Sequence, residues 1–150
     1  MVEREARDQL AEQLRHLVAG QITNDEFEDR LTPASSDDPA TEEIFDAAWS
    51  LYSDQKEYRL VGKDRIPSEG RREIARWILF LKGDLEYEWP CLGCLGHIGF
   101  TLVYLATLGL AGALSRRWME RRGDLSLWPF IRRADYEAAL RNPPYLAGAG

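Results

Sequence analysis

Cysteine, histidine and methionine are scarce in this chain, with two of each among 150 residues. The cysteines, Cys91 and Cys94, stand too close together to staple a small secreted fold, so a disulfide framework is excluded. No glycine loop followed by lysine offers to cradle a phosphate, and there is no Gly-x-Ser-x-Gly elbow or paired-histidine metal helix. The opening Met1-Val2-Glu3-Arg4-Glu5 is charged where a secretory leader would be apolar, and neither end carries a lipidation motif, so the expected location is the cytoplasm. Positive charge is also in deficit. With 19 Lys and Arg against 25 Asp and Glu, a net charge of -6 and a pI near 5.0, nucleic acid is a disfavoured partner, because binding it requires neutralising phosphates.

What is present is the balance of an ordinary globular domain, 45% hydrophobic and 29% charged. A chain of this length buries enough surface to hold one core without disulfides or metals, and residues 1–150 read as a single domain. The charge is uneven. Residues 1–64 carry 16 acidic and 7 basic side chains, a net -9, whereas residues 65–150 carry 9 acidic and 12 basic, a net +3. The simplest expectation is that the two halves complement each other internally.

The pattern is mainly α. Ala6, Leu10, Leu14, Leu17 and Val18 fall on one face of an amphipathic helix that Gly20 ends. Thr23 then caps a second helix, with Glu26 closing a capping box and Ile22 and Phe27 placed as a hydrophobic staple. Residues 1–31 therefore form a helical hairpin whose shared face is Leu10, Leu14, Leu17, Phe27 and Leu31. Leu17, Gly20, Ile22-Thr23, Asp25-Glu26-Phe27-Glu28 and Leu31 resemble the short hairpin of SHOCT-type domains, over about a fifth of the chain. That resemblance implies a role in oligomerisation. The chain as a whole is similar to an uncharacterised bacterial protein family with the same opening and a Glu-Tyr-Glu-Trp-Pro segment, here Glu86 to Pro90, and no activity comes with this likeness.

After a polar connector, Asp38 and Pro39 start a third helix with a core face of Ile44, Phe45, Ala48, Leu51 and Tyr52 and with Trp49 on its flank. Residues 55–65 read as a loop with an extended piece at Tyr58 to Val61. Ser68 is expected to cap a fourth helix that buries Ile74, Trp77, Ile78 and Leu81 and ends at Gly83. Two segments, Gly83 to Pro90 and Gly123 to Pro129, both end in Trp-Pro and read as short extended pieces bracketing the longest apolar stretch, with Trp89 and Trp128 buried at its ends. A last helix runs from Ala134 to Arg141, and residues 142–150 are a tail.

Leu95 to Leu114 is long enough to span a bilayer and has no formal charge apart from whatever His97 carries. Arginines at 116, 117, 121, 122, 132 and 133 would then lie on the wrong side of the membrane if the N-terminus stayed inside. A buried central helix, with amphipathic helices packed around it, fits this charge placement better. The expected architecture is thus a domain of five to six helices around that helix, with residues 39–141 as its body. Anchoring at the inner membrane is the alternative.

Three groups of side chains offer themselves for function. Cys91, Cys94 and His97 have the spacing of a thiol redox pair or a partial zinc site, although a structural zinc needs a fourth ligand, such as Glu86 or Glu88. Arg116, Arg117, Arg121 and Arg122 suit either a helix C-terminus or a patch for an anionic partner. The hairpin face is the third. The reading that results is a non-enzymatic helical protein with no catalytic residues, metal or cofactor, acting through a protein partner or self-association.

Overall fold

The computed structural model describes residues 1–31, 36–88 and 124–143. Among them are five α-helices: α1 (Arg4–Val18), α2 (Asn24–Arg30), α3 (Pro39–Ala48), α4 (Ser68–Leu81) and α5 (Arg133–Arg141). Single 3-10 turns occupy Trp49–Leu51, Gly62–Asp64 and Leu125–Leu127, and the described residues contain no strand. The described part of the chain is all-α, as its periodicity indicates. The stretch from Leu95 to Leu114, which the sequence puts at the centre, lies outside the described residues, as do Trp89 and Pro90.

Local signals set the first two helices. The turn after α1 is closed by Gly20 N–H donating to the Leu17 carbonyl at 3.0 Å and Gln21 N–H to the His16 carbonyl at 2.9 Å. Gly20 has φ +69°, and a Cβ there would run into the Val61 side chain, so glycine is required twice over. In the capping box, Glu26 N–H donates to Thr23 Oγ1 at 3.1 Å and Thr23 N–H to Glu26 Oε2 at 2.9 Å. Asn24, fully buried at the start of α2, shapes the loop that returns from α3. Its side chain donates to the Ser53 and Lys56 carbonyls and accepts from Tyr58 N–H at 2.7 Å, while its own N–H reaches the Tyr58 carbonyl.

The α1 stripe differs from its apolar pattern. Its buried members are Arg7, Leu10, Ala11, Leu14 and Leu17, and Ala6 is only half-buried. Arg7 occupies a core position because its charge is answered there. Its Nε donates to Asp38 Oδ2 at 2.6 Å and its Nη2 to Oδ1 at 3.1 Å, with both side chains about 1% exposed. Nη1 reaches the carbonyls of Leu85 (2.7 Å) and Gly83 (3.3 Å), and the guanidinium lies 5.3 Å from the centre of the Phe80 ring.

Asp38 serves two helices at once. As N-cap of α3 it accepts from Ala40 N–H at 3.0 Å, and it also accepts from Glu3 N–H, just before α1, at 3.0 Å. One turn back, Arg4 closes the end of α4 by donating to the carbonyls of Leu81, Lys82 and Gly83, and Lys82 returns a contact to Asp8 at 2.9 Å. The start of α1 is thereby fastened to the cap of α3 and to the end of α4.

The core collects Leu10, Leu14, Leu17 and Phe27 from the hairpin, Ile44 and Ala48 from α3, and Ile74, Trp77, Leu79, Phe80 and Leu81 from α4. Three details depart from the sequence pattern. Ser68 is the first residue of α4 rather than its cap; the N-cap is Pro67, whose fixed φ sets up the helix but whose side chain cannot accept a hydrogen bond. Leu79 and Phe80 are buried while Ile78 is half-buried, because the last turn of α4 is covered on several sides. Leu125–Leu127 is a 3-10 turn rather than an extended piece, capped by Asp124, whose carboxylate accepts from Ser126 N–H and Oγ. The Ser126 hydroxyl and the Arg133 guanidinium hold that carboxyl below the usual aspartate range. Trp128 is half-buried, stacking edge-on against Trp77 at 5.4 Å and donating its Nε1–H to Tyr87 Oη at 2.9 Å.

Burial alone would raise the Asp38 carboxyl, but the Arg7 guanidinium and the N–H groups of Glu3 and Ala40 outweigh it, and Asp38 titrates below the ordinary value. Its contribution is therefore complete above the unfolded aspartate pKa of about 3.9 and is lost as pH falls below that. Asp38→Asn keeps a good cap but leaves Arg7 buried without a counter-charge, and is expected to lose about 3–5 kcal/mol in urea denaturation at neutral pH. The same variant should show a shallower loss of stability below pH ~4 than the parent. A loss under about 1 kcal/mol would place the pair among weak surface contacts.

Candidate functional site

Of the side chains that the sequence singles out, Cys91, Cys94, His97, Arg116, Arg117, Arg121 and Arg122 lie outside the described residues. Glu88, a candidate fourth zinc ligand, is paired with Arg132 at 2.7 Å, and Glu86 is exposed. Among the described residues no three His, Cys, Asp or Glu side chains gather as a metal site, and no helix is long and apolar enough to cross a membrane.

The hairpin face is placed, and it is not free. Leu10 is 2% exposed, Leu14, Leu17 and Phe27 are fully buried, and Leu31 is half-buried. Within the described residues these side chains are packed where α1 meets α3 and α4. A hairpin this short needs such cover, and finds it within the molecule.

A pocket of about 80 Å³ lies between residues 85–88 and the segment 129–135, floored by Phe80 and Phe130. This is small against the roughly 300–1,000 Å³ of ordinary ligand sites. Its rim charges answer one another, since Arg132 pairs with both Glu88 and Asp135.

A different surface emerges along α2 and α3. Phe27 stacks on Phe45 with ring centres 6.0 Å apart, Phe45 meets Trp49 edge-on at 6.2 Å, and Tyr52 meets Phe27 edge-on at 6.2 Å. This aromatic ladder starts in the core and ends at Trp49, which is 54% exposed at the end of α3. Glu42 and Asp46 precede Trp49 by seven and three residues, so helical spacing puts all three on one ridge, and all three are exposed. Asp25 and Asp54 are exposed nearby, within electrostatic reach of Tyr52 together with Glu28.

Among the described residues, none of these carboxylates is paired with a base of the basic half. Asp25, Glu42, Asp46 and Asp54 make no ion pair among the described residues, and Lys82 with Asp8 is a bridge there that joins a base of residues 65–150 to an acid of residues 1–64. The expected complementarity of the halves is not seen at this face among the described residues. An exposed indole beside carboxylates offers a cation both a π face and opposite charge. The signal for it was present in the spacing of Glu42, Asp46 and Trp49, whereas the buried polar trio of Arg7, Asp38 and Asn24 gave no comparable local sign.

Tyr52 sits where this face meets the core. Its hydroxyl is buried and makes no geometric hydrogen bond among the described residues, although burial first, and then the neighbouring Glu28, push its ionisation up. A raised pKa in the folded chain contributes stability below the ordinary tyrosine pKa of about 10 and loses it as pH rises beyond that. Tyr52→Phe is expected to be neutral or slightly stabilising at pH 7, because it removes a buried hydroxyl without a partner, and to resist alkaline unfolding better than the parent. Denaturation at pH 7 and above pH ~10 measures both effects. A clear loss at pH 7 would show that the hydroxyl holds a bond.

No protein family, curated protein or solved structure matches the chain, so the geometry above is what a functional reading rests on.

Proposed function

We propose that this chain is a non-enzymatic helical protein of the cytoplasm that works by binding another polypeptide, and that it presents the α2–α3 face to do so. The observation that carries this reading is Trp49. A large indole is left 54% exposed at the end of an aromatic ladder, beside carboxylates that no described base pairs with. Tryptophan concentrates binding energy at protein interfaces, while a buried indole would serve stability alone.

The buried polar groups support the same reading from inside. Arg7, Asp38, Asn24 and Thr41 are engaged with backbone or with each other: Thr41, for example, donates to the Asp38 carbonyl at 2.7 Å. Their roles are structural. The likeness of the hairpin to SHOCT-type segments makes a second copy one form the partner can take.

Replacing Trp49 with a benzoylphenylalanine photocrosslinker in the full chain tests the reading in cells, with Leu140, 53% exposed on α5, as the control position. Position 49 is expected to yield one polypeptide adduct, identifiable by mass spectrometry, that position 140 does not. An adduct of twice the chain mass would specify self-association. Equal yields at both positions, or none at position 49, would overturn the assignment.

A further inference from the structure

The α3 ridge also defines the chemistry of what it binds. Resting on the polypeptide-binding reading above, we propose that the Glu42–Asp46–Trp49 ridge takes an arginine-bearing segment of the partner in extended form, with one guanidinium laid on the Trp49 indole.

Four observations point the same way. The ridge carries two carboxylates that no described base pairs with, and it belongs to the half of the chain with a net charge of -9, which favours a positive partner surface. No base among the described residues is paired with Glu42 or Asp46. Among the described residues, Arg15 and Arg30 pair with Glu12 and Glu26, Arg4 and Lys82 are drawn to the α1–α4 junction, and Lys56 lies over Tyr58. The third observation is the indole. An ammonium is also drawn to a ring face, but the planar, weakly hydrated guanidinium stacks flat on it as well and keeps its N–H groups free for carboxylates at the ring edge, so arginine is the better fit. Asp46, one helical turn before Trp49, is the carboxylate placed for that second contact.

Spacing is the fourth. From Glu42 to Trp49 the ridge runs about 10 Å along the helix axis. An extended chain advances roughly 3.3 Å per residue and returns to the same face every second residue, so alternate basic side chains, about 6.6 Å apart, match the step of about 6 Å from Glu42 to Asp46. The half-buried Phe45, between Glu42 and Trp49 and in ring contact with Trp49, gives the aliphatic stem of such an arginine an apolar surface to lie on.

The test uses the full chain labelled with ¹⁵N and three synthetic octapeptides in which arginine, lysine or glutamate alternates with serine. The Trp49 indole N–H, assigned by its disappearance in Trp49→Leu, is followed together with the amides of Glu42 and Asp46; the amides of Glu5 and Glu12 on α1 report binding by charge alone. The arginine peptide is expected to move the Trp49, Glu42 and Asp46 signals saturably, more tightly than the lysine peptide and less so as salt rises, while the glutamate peptide moves none of them. Trp49→Leu, which keeps an apolar side chain, should weaken arginine-peptide binding about two- to fivefold and remove the preference over lysine. Glu42→Gln with Asp46→Asn should weaken both basic peptides.

Shifts as large on α1 as on α3, equal affinity for arginine and lysine, or a Trp49→Leu variant that binds as the parent does would each overturn the proposal. The two readings fail separately. A polypeptide adduct at position 49 without arginine-peptide binding removes the partner chemistry and leaves the contact face standing, and loss of both removes the face itself.

Discussion

Arg7 and Asp38 come from positions 31 residues apart and meet at 2.6 Å where solvent barely reaches either side chain. A guanidinium in that place would be strongly unfavourable alone, and so would the carboxylate; each is tolerable only because the other is there with the right geometry. The pair is also connected outward. Through Asp38 it caps α3 and holds the backbone before α1, and through Arg7 it grips the segment leaving α4 and lies on Phe80. Few other arrangements of these helices would satisfy so many groups at once. Apolar residues of similar volume can often replace a buried ion pair without loss, so the net worth of the pair is smaller than the cost of removing one partner.

That constraint bears on where function can lie. With the start of α1 fastened to α3 and α4, Leu10, Leu14, Leu17 and Phe27 of the hairpin are packed in the core. The rim of the hairpin and α3 remains. There the ladder from Phe27 through Phe45 carries packing from the interior to Trp49, so that the exposed indole stands on a rigid support rather than on a loose loop. Such support lowers the conformational cost of binding.

Much of this could be read from residues in order. Gly20, the Thr23–Glu26 box and the Asp38-Pro39 start are signals whose physics is complete within a few residues, and each stands as the sequence implies. Ser68 shows the limit of such reading: serine before a helix is a good cap, but Pro67 holds that position and Ser68 falls inside. Arg7 was hidden for a different reason. A search for apolar periodicity passes over a charged residue even when it sits three before Leu10 and seven before Leu14, on the buried stripe. Its partner could not be inferred either, because nothing local to Asp38 distinguishes a cap that faces water from one that faces a guanidinium. The second Trp-Pro segment looked extended since both aromatic and aliphatic residues favour strands, yet Asp124 captures Ser126 and winds the chain into a 3-10 turn. As for the candidate site, the aromatic and acidic residues of α3 were visible in the sequence, but only the packing shows which of them remain outside.

The account turns on whether Arg7 and Asp38 act as one unit, and a double-mutant cycle measures this directly. Urea denaturation of the parent, Arg7→Met, Asp38→Asn and the double variant gives the coupling. The structure predicts that either single change is severe and that the second adds little, for a coupling of about 2 kcal/mol or more. Single losses that add to within about 0.5 kcal/mol would mean that the two groups are stabilised independently, and the organising role given to their contact would be wrong.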